Sequence, residues 1–276
     1  MDMTSETGIK VALAIRSVAA WLVALLLFFP ILFMLVTSFK TELQAIAVPS
    51  IWVFTPTLDN YTHVQERSDY LLYAQNSFIT SVVSTLVGLL IAAPAAYSMA
   101  FFPSKRTKGI LMWMLSTKMM PAVGALVPVY VLAQSSHLLD TKFALIVVFM
   151  LSNLPLMVWM LYSHFKDIPN EILEASRMDG ATWFQQFRFL VLPHLARSIA
   201  VVVMIEMIFL LSVFAEISTT TAGGPGDAST NIAYLIFKQA LLGFDVGVAS
   251  AGALFAVLLA NIAAVFLIRM IGKNLD

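Results

Sequence analysis

Polar side chains interrupt long apolar stretches at four places, and these are the first residues in the sequence that could do chemistry. Lys118 and Glu206 bring opposite charges, Asn153 brings an amide, and Glu216 closes an apolar run. A charge at the centre of a bilayer costs roughly 2.5–3.5 kcal/mol on insertion scales, so such a group needs a partner or a function. We expect Lys118 and Glu206 to form an ion pair with Asn153 at a similar depth, and Glu216 to be solvated near one surface.

Two roles for the expected Lys118–Glu206 pair remain open. It could be structural, joining two helices and holding them in register. It could also bind a hydroxyl-rich ligand, because hydroxyl groups need charged or amide hydrogen-bond partners. The sequence favours the structural role without excluding the second.

A glycine-rich stretch, AGGPGDAST at residues 222–230, contains Gly223, Gly224, Pro225 and Gly226. It could be a flexible hairpin between two helices. It could also bring its backbone close to a ligand, since glycine has no side chain to prevent that approach.

The most polar internal segment is EASRMDGATWFQQFRFLVLP, residues 174–193. Asp167 at or near an N-cap and Pro169 in a first turn predict that a short helix begins just before it. Gly180 predicts the end of that helix, because glycine adopts the left-handed conformation without a steric penalty.

A second short helix is predicted over residues 182–190, and we expect it to halt near Pro193. One apolar face of the first helix carries Ile172, Ala175 and Met178 at helical spacing. Two such helices joined by a sharp turn could anchor on lipid headgroups or form a docking surface for another protein.

The sequence contains no recognisable catalytic motif. There is no GxxxxGK[ST] phosphate-binding loop, no cysteine and no serine nucleophile elbow. The histidines lie far apart without metal-ligand spacing: His63, His137, His164 and His194. We therefore expect a protein that is not an enzyme and holds no cofactor.

The composition indicates an integral membrane protein that positions these groups on helices. The chain is 276 residues long, 60% hydrophobic and only 12% charged, with a mean hydropathy of +0.88. Its net charge of zero gives no electrostatic attraction for nucleic acid. The first apolar stretch is too long for a signal peptide. We predict one all-α domain over residues 1–276 with six membrane spans of about 20 residues or more: 17–39, 76–102, 109–133, 143–163, 198–217 and 246–268.

The basic residues predict the orientation of these spans. With the N-terminus inside, the inner segments carry eleven of the 16 lysines and arginines and the outer loops carry four. Positive residues accumulate on the cytoplasmic side. Both termini and the segment 174–193, between spans four and five, are therefore expected in the cytoplasm.

The spacing of Glu174-Ala175-Ser176, Gly180, Leu190 and Leu192-Pro193 resembles the EAA loop of permease subunits in binding-protein-dependent ABC importers. Ser176 stands where that family has alanine, and Leu190 where it usually has isoleucine. The resemblance implies that the first short helix, the coupling helix, docks on a separate ATPase. The residues expected to couple are Glu174, Ala175, Ser176, Asp179, Gly180, Leu192 and Pro193.

The resemblance extends over the chain and implies further partners. The first outer loop, with Pro49, Trp52, Asn60 and Tyr61, is similar to that of maltose-type carbohydrate permeases. The stretch STKMMPAVGALVPVY, residues 116–130, and the C-terminal tail, residues 244–276, resemble the mannitol/sorbitol branch. The family implies a second permease, a cytoplasmic ATPase dimer that hydrolyses ATP with Mg, and a periplasmic or lipid-anchored binding protein, all at a bacterial inner membrane.

In maltose-type permeases the loop equivalent to residues 222–230 reaches toward the binding protein, which implies that role for its glycines. The alternative to an ATP-driven sugar or sugar-alcohol importer is a carrier or channel driven by ion gradients. The small number of intramembrane acids and the lack of an internal repeat argue against that alternative.

Overall fold

The computed structural model describes residues 6–119, 122–139, 141–224, 226–227 and 229–273, and its regular elements there are helices, with no strand. Two π-helical turns, Phe187–Val191 and Lys238–Leu242, accompany the α-helices. The α-helices are, in chain order, α1 Glu6–Ser38, α2 Glu42–Ala45, α3 Asp59–Glu66, α4 Tyr70–Phe101, α5 Thr107–Lys118, α6 Ala122–Ser135, α7 Lys142–Lys166, α8 Asn170–Met178, α9 Trp183–Gln186, α10 Leu192–Leu211, α11 Ala215–Thr220, α12 Ile232–Phe237 and α13 Val246–Lys273.

The chain divides into two compact units, residues 1–68 with 239–255 and residues 69–238 with 256–276. In the first unit, polar contacts order the loop after α1. Asn60 is buried and donates hydrogen bonds to the carbonyl oxygens of Ser38 (2.8 Å) and Lys40 (2.6 Å). The ammonium of the buried Lys40 faces the aromatic rings of Phe33, Trp52 and Phe54 at 5.3–5.7 Å. Its charge is thus stabilised by ring faces.

The second unit is built on the packing of α4 against α7. Small residues of α4, among them Ala92 and Ala96, are fully buried there, and a Cβ at Gly88 would come within 2.8 Å of the Met157 sulfur. Small side chains let two helix backbones approach closely without a cavity. This interface places the C-terminal ends of α4 and α7 beside the segment that follows α7.

Four helices are long and apolar enough to cross a membrane, by length and composition, within the described ranges: Lys10–Ser38, Tyr70–Phe101, Lys142–Lys166 and Val246–Phe266. A fifth span results if the pair Trp183–Ala196 and Ser198–Leu211, bent by 57°, is counted as one. These helices correspond to five of the six predicted spans. The full count of six stays a prediction.

The predicted third span, residues 109–133, is not one continuous helix. It consists of α5 and α6, which at 1.5 Å per residue are roughly 18 and 21 Å long, each too short for a core of roughly 30 Å. Pro121 lies between them, outside the described residues. The predicted fifth span also begins and ends earlier than expected, since α10 runs from Leu192 to Leu211 and a separate helix, α11, begins at Ala215.

Candidate functional site

The first short helix of the segment 174–193 is present as α8, but it begins later than predicted. Asp167 was wrongly placed near its N-cap. The Asp167 N–H bonds to carbonyl oxygens of α7, so this residue caps the end of α7, and Pro169 is the N-cap of α8. Gly180 has φ +83°, which confirms the predicted left-handed end of the helix.

The second short helix does not halt at Pro193, and that prediction was wrong. Thr182 begins α9 with a capping box formed with Gln185, and the chain passes through the π-helical turn directly into α10. Pro193 lies in the first turn of α10 and Leu192 is its first residue. A proline is tolerated there because the backbone N–H groups of a first turn are not needed within the helix.

The exposed surface of α8 is partly apolar. Met178 is 88% exposed and Ile172 is 46% exposed, and Glu174, Ala175, Asp179 and Gly180 are exposed as well. Leu173, by contrast, is buried and points into the protein. Apolar residues presented in this way beside acidic ones are typical of a surface that another protein covers.

A buried hydrogen-bond triangle joins α8 to α9. The Nε2 of Gln186, a residue only 2% exposed, donates to the Leu173 carbonyl (3.2 Å) and to the Ser176 hydroxyl (2.9 Å). The Ser176 hydroxyl donates in turn to the Leu173 carbonyl (2.9 Å). Ser176, the residue that departs from the family's alanine, thus contacts Gln186, which the sequence analysis did not single out.

An aromatic cluster around Tyr97 joins the same segment to α4 and α7. Tyr97 of α4 is buried, and its ring lies 6.2 Å from that of Trp183 and 6.0 Å from that of Phe187. It also contacts Phe165 of α7 at 5.6 Å. Aromatic pairs at such distances add roughly 0.5–1.5 kcal/mol each beyond area burial. Movement of α8 would therefore be transmitted through α9 to the ends of two long helices.

The glycine-rich loop is folded and hydrogen-bonded over the residues that the structure describes, which does not fit the flexible-hairpin interpretation. Gly223 is buried with φ +87°, and its carbonyl accepts a hydrogen bond from the Thr230 hydroxyl (3.2 Å). The Ser229 hydroxyl donates to the Thr221 hydroxyl (2.8 Å). Gly226, at φ +60°, is exposed at the tip, Gly224 is half-buried, and Pro225 lies outside the described residues.

Two polar residues of α4 fix this loop in place. Asn76 donates to the Thr230 carbonyl (3.2 Å), and the Ser77 hydroxyl accepts from the Ile232 N–H (3.0 Å). Neither residue was predicted from the sequence. A signal was present, because polar residues recur along one buried face of this apolar helix, namely Asn76, Ser77, Thr80, Ser81, Ser84 and Thr85.

The intramembrane polar residues meet in a different pairing from the one predicted. The Lys118 ammonium donates to the Asn153 amide oxygen (2.7 Å) and lies 4.9 Å from the centre of the Phe209 ring. Glu206 is fully buried, and neither of its carboxylate oxygens accepts a hydrogen bond from the described part of the chain. The direct Lys118–Glu206 ion pair was therefore wrong for this conformation, because an amide oxygen and a ring face take up the ammonium instead.

Asn153 lies at the depth of Lys118, as predicted. Glu216 is half-buried in the first turn of α11 instead of ending the fifth span.

Comparison with known proteins identifies the class of molecule to which this arrangement belongs. A model of the family described as the binding-protein-dependent transport system inner membrane component matches residues 85–276, well over half of the chain. The chain belongs to this family. Because this is a transport family, the prediction that the permease is not an enzyme is confirmed.

Individual relatives of the permease are ABC transporter subunits. It is 31% identical over 199 residues to a probable ABC transporter permease protein of Sinorhizobium fredii, over 70% of this chain and 72% of that protein. It is 32% identical over 169 residues to the sulfoquinovosyl glycerol transport system permease protein SmoH of Agrobacterium fabrum, over 61% of this chain and 59% of that protein.

Solved structures share the fold of the permease. A chain of a bacterial ABC transporter involved in the import of the acidic polysaccharide alginate superposes with a TM-score of 0.74 at 15% identity, covering 99% of both chains. A chain of the MetNI methionine ABC transporter superposes with a TM-score of 0.63 at 18% identity, covering 74% of the permease and 95% of that chain. At these identities the likeness establishes the fold alone.

Gln186→Met should weaken the attachment of α8 to α9 while keeping the side-chain size. It removes two buried hydrogen bonds, which contribute roughly 0.5–1.5 kcal/mol each. We expect a lower midpoint of thermal unfolding for the purified transport complex and uptake by the complete system at least threefold below wild type. Gln186→Glu should be more severe, because a carboxylate oxygen would face the Leu173 carbonyl.

Ser176→Ala is the matched control for Gln186→Met. It removes one of the two hydrogen bonds between α8 and α9, together with a bond within α8, and keeps the Gln186–Leu173 bond, so its effect on the attachment should be smaller. If Gln186→Met transports and unfolds like wild type, the triangle has no mechanical role.

Gly223→Val should disrupt the glycine-rich loop. A Cβ at this position would come within 2.3 Å of the Thr230 hydroxyl oxygen, and φ +87° is strained for any other residue. We expect uptake at least fivefold below wild type at an equal amount of protein in the membrane. Gly109→Val is the control, since a Cβ there meets nothing within 4 Å, and equal uptake by the two variants would contradict a role for the loop geometry.

Proposed function

We propose that this chain is one of the two membrane-spanning subunits of an ATP-driven importer for a carbohydrate. The observation that carries this proposal is the surface of α8, which is exposed, partly apolar and mechanically attached to α4 and α7 at the position of the EAA-like sequence. A permease without an ATP-binding motif needs such a surface, because the work of ATP hydrolysis must reach it from a separate subunit.

The cycle follows from the attachment of α8. Closure of an ATPase dimer would move Glu174 and its neighbours, and the Gln186 triangle would make α8 and α9 move together. The Tyr97 cluster would then tilt the inner ends of α4 and α7 between inward-open and outward-open states. Discrete rearrangement of packed helices suits this purpose better than gradual bending, since well-packed interfaces have few alternative arrangements.

Several lines support a carbohydrate as the cargo. The relatives include permeases named for sulfoquinovosyl glycerol and for diacetylchitobiose. A sugar alcohol such as mannitol or sorbitol is the finer proposal, supported by the stretch of residues 116–130 and by the C-terminal tail. The family match gives no support to a carrier driven by an ion gradient.

The proposed complex contains a second permease, an ATPase dimer with its ATP and Mg, and a substrate-binding protein that docks near the glycine-rich loop. It would lie in a bacterial inner membrane. We propose six spans with both termini in the cytoplasm. The distribution of basic residues supports this orientation. The two shorter helices α5 and α6 are compatible with a single third span made of both.

Glu174→Lys tests the docking surface on α8. Reversal of an exposed charge in this surface should reduce co-purification of the ATPase subunit at least tenfold and abolish ATP-dependent uptake. Asp167→Lys is the matched control, because it makes the same charge change at an exposed site at the end of α7. ATPase that co-purifies equally with both variants, or uptake that continues without any ATPase, would refute the proposal.

A further inference from the structure

The C-terminal end of α5 exposes polar groups. Lys118 is the last residue of α5, and Ser116, Thr117 and Lys118 are all exposed although the rest of this helix is mostly apolar. The helical rise from Lys108 to Lys118 corresponds to a depth of roughly 15 Å, near the centre of a ~30 Å core. In secondary transporters, helix ends near the midplane offer polar groups to a cargo, and the same physical reason applies to the end of α5.

Lys118 is held in a defined position and retains hydrogen-bonding capacity. Its ammonium has three N–H donors, and the contact with Asn153 at 2.7 Å uses one of them. The Phe209 ring, 46% exposed, lies beside the same ammonium. An oriented cation next to a half-exposed aromatic ring is suited to a ligand that has both hydroxyl groups and an apolar face.

Two buried residues near this end of α5 have hydrogen-bonding atoms without a partner among the described residues: Asn153, which contacts Lys118, and Glu206, which lies on α10 one turn before Phe209. The Nδ2 of Asn153 donates no bond, and both carboxylate oxygens of Glu206 accept none, although these residues are 1% and 0% exposed. Buried polar atoms in native proteins almost always have partners, because a buried group without one is unfavourable. Among the described residues, Asn153 thus offers an unused donor group, Glu206 two unused acceptors, and Lys118 further N–H groups beyond the one that contacts Asn153.

We propose that Lys118, Asn153 and Glu206 form a cargo-binding site on this chain that recognises the hydroxyl groups of a neutral polyhydroxylated molecule. Each hydroxyl both donates and accepts, so it can accept from Lys118 or Asn153 and donate to Glu206. The site rests on the proposed import function and deepens it, because it assigns cargo contacts to this subunit. Lys118 then has a role beyond joining α5 to α7.

The absence of cysteine from the sequence allows a direct test by thiol protection. Thr117→Cys places a thiol beside Lys118 on the exposed side of α5. In the complete importer, labelling of this thiol by a water-soluble maleimide is measured with mannitol, sorbitol or maltose, using whichever of them the wild type takes up. We expect that cargo to slow labelling at least threefold.

The protection must depend on the proposed site. It should disappear in Thr117→Cys combined with Lys118→Met or with Glu206→Gln, while ATPase co-purification stays at the wild-type level. Thr62→Cys is the control. It lies on α3, is exposed, and like Thr117 its hydroxyl donates to a carbonyl three residues earlier, so cargo should not protect it.

The outcomes separate this site from the proposed function. Equal protection with and without Lys118, or a thiol at position 117 that is never labelled or never protected during active uptake, would overturn the site and leave the importer intact. A wild-type complex that takes up none of the three probes would refute a mannitol-, sorbitol- or maltose-like cargo, and with it the site proposed for such a cargo.

Discussion

Water does not reach the buried parts of this chain, and this constraint explains most of the polar contacts described above. A polar side chain placed there must find a partner within the protein, or it costs several kcal/mol. Polar residues in the two units therefore occur in groups. Asn60 donates hydrogen bonds to two carbonyl oxygens, Asn76 and Ser77 bond to the glycine-rich loop and the residues that follow it, and Gln186 joins two short helices. Each group fixes the position of a segment that the apolar surface alone would leave undefined.

The same constraint relates mechanical and binding roles. The Gln186 triangle is hydrogen-bonded and the Tyr97 cluster is held by contacts between aromatic rings, which suits parts that move as rigid bodies. The layer with Lys118, Asn153 and Glu206 is only partly satisfied in this conformation. Incomplete hydrogen bonding in a buried layer is unfavourable unless another molecule or another conformation completes it. Polar groups whose hydrogen bonds are complete and polar groups whose hydrogen bonds are incomplete thus suit different functions in one helical chain.

The predictable features of the fold were those that depend on local sequence. Long apolar runs predicted α1, α4, α7 and α13, because only a helix satisfies its own backbone in lipid. Gly180 predicted the turn between α8 and α9, since its left-handed φ follows from the missing side chain. The break within the third predicted span and the continuous path through Pro193 were missed, because an apolar composition is the same for a straight, bent or interrupted helix.

The candidate site was predictable in its residues and not in its contacts. Sequence alone determined that the chain is helical and built for a membrane, that Lys118 and Asn153 lie at a similar depth, and that Glu174 lies on a short helix of a distinctive loop. These follow from composition, helical rise and turn chemistry, all of which act over a few residues. Only the tertiary structure decided that Lys118 bonds to Asn153 and leaves Glu206 without a partner, and that Gln186 meets Ser176. Those contacts depend on how separate helices rotate and approach each other, which is set by packing between residues far apart in the chain.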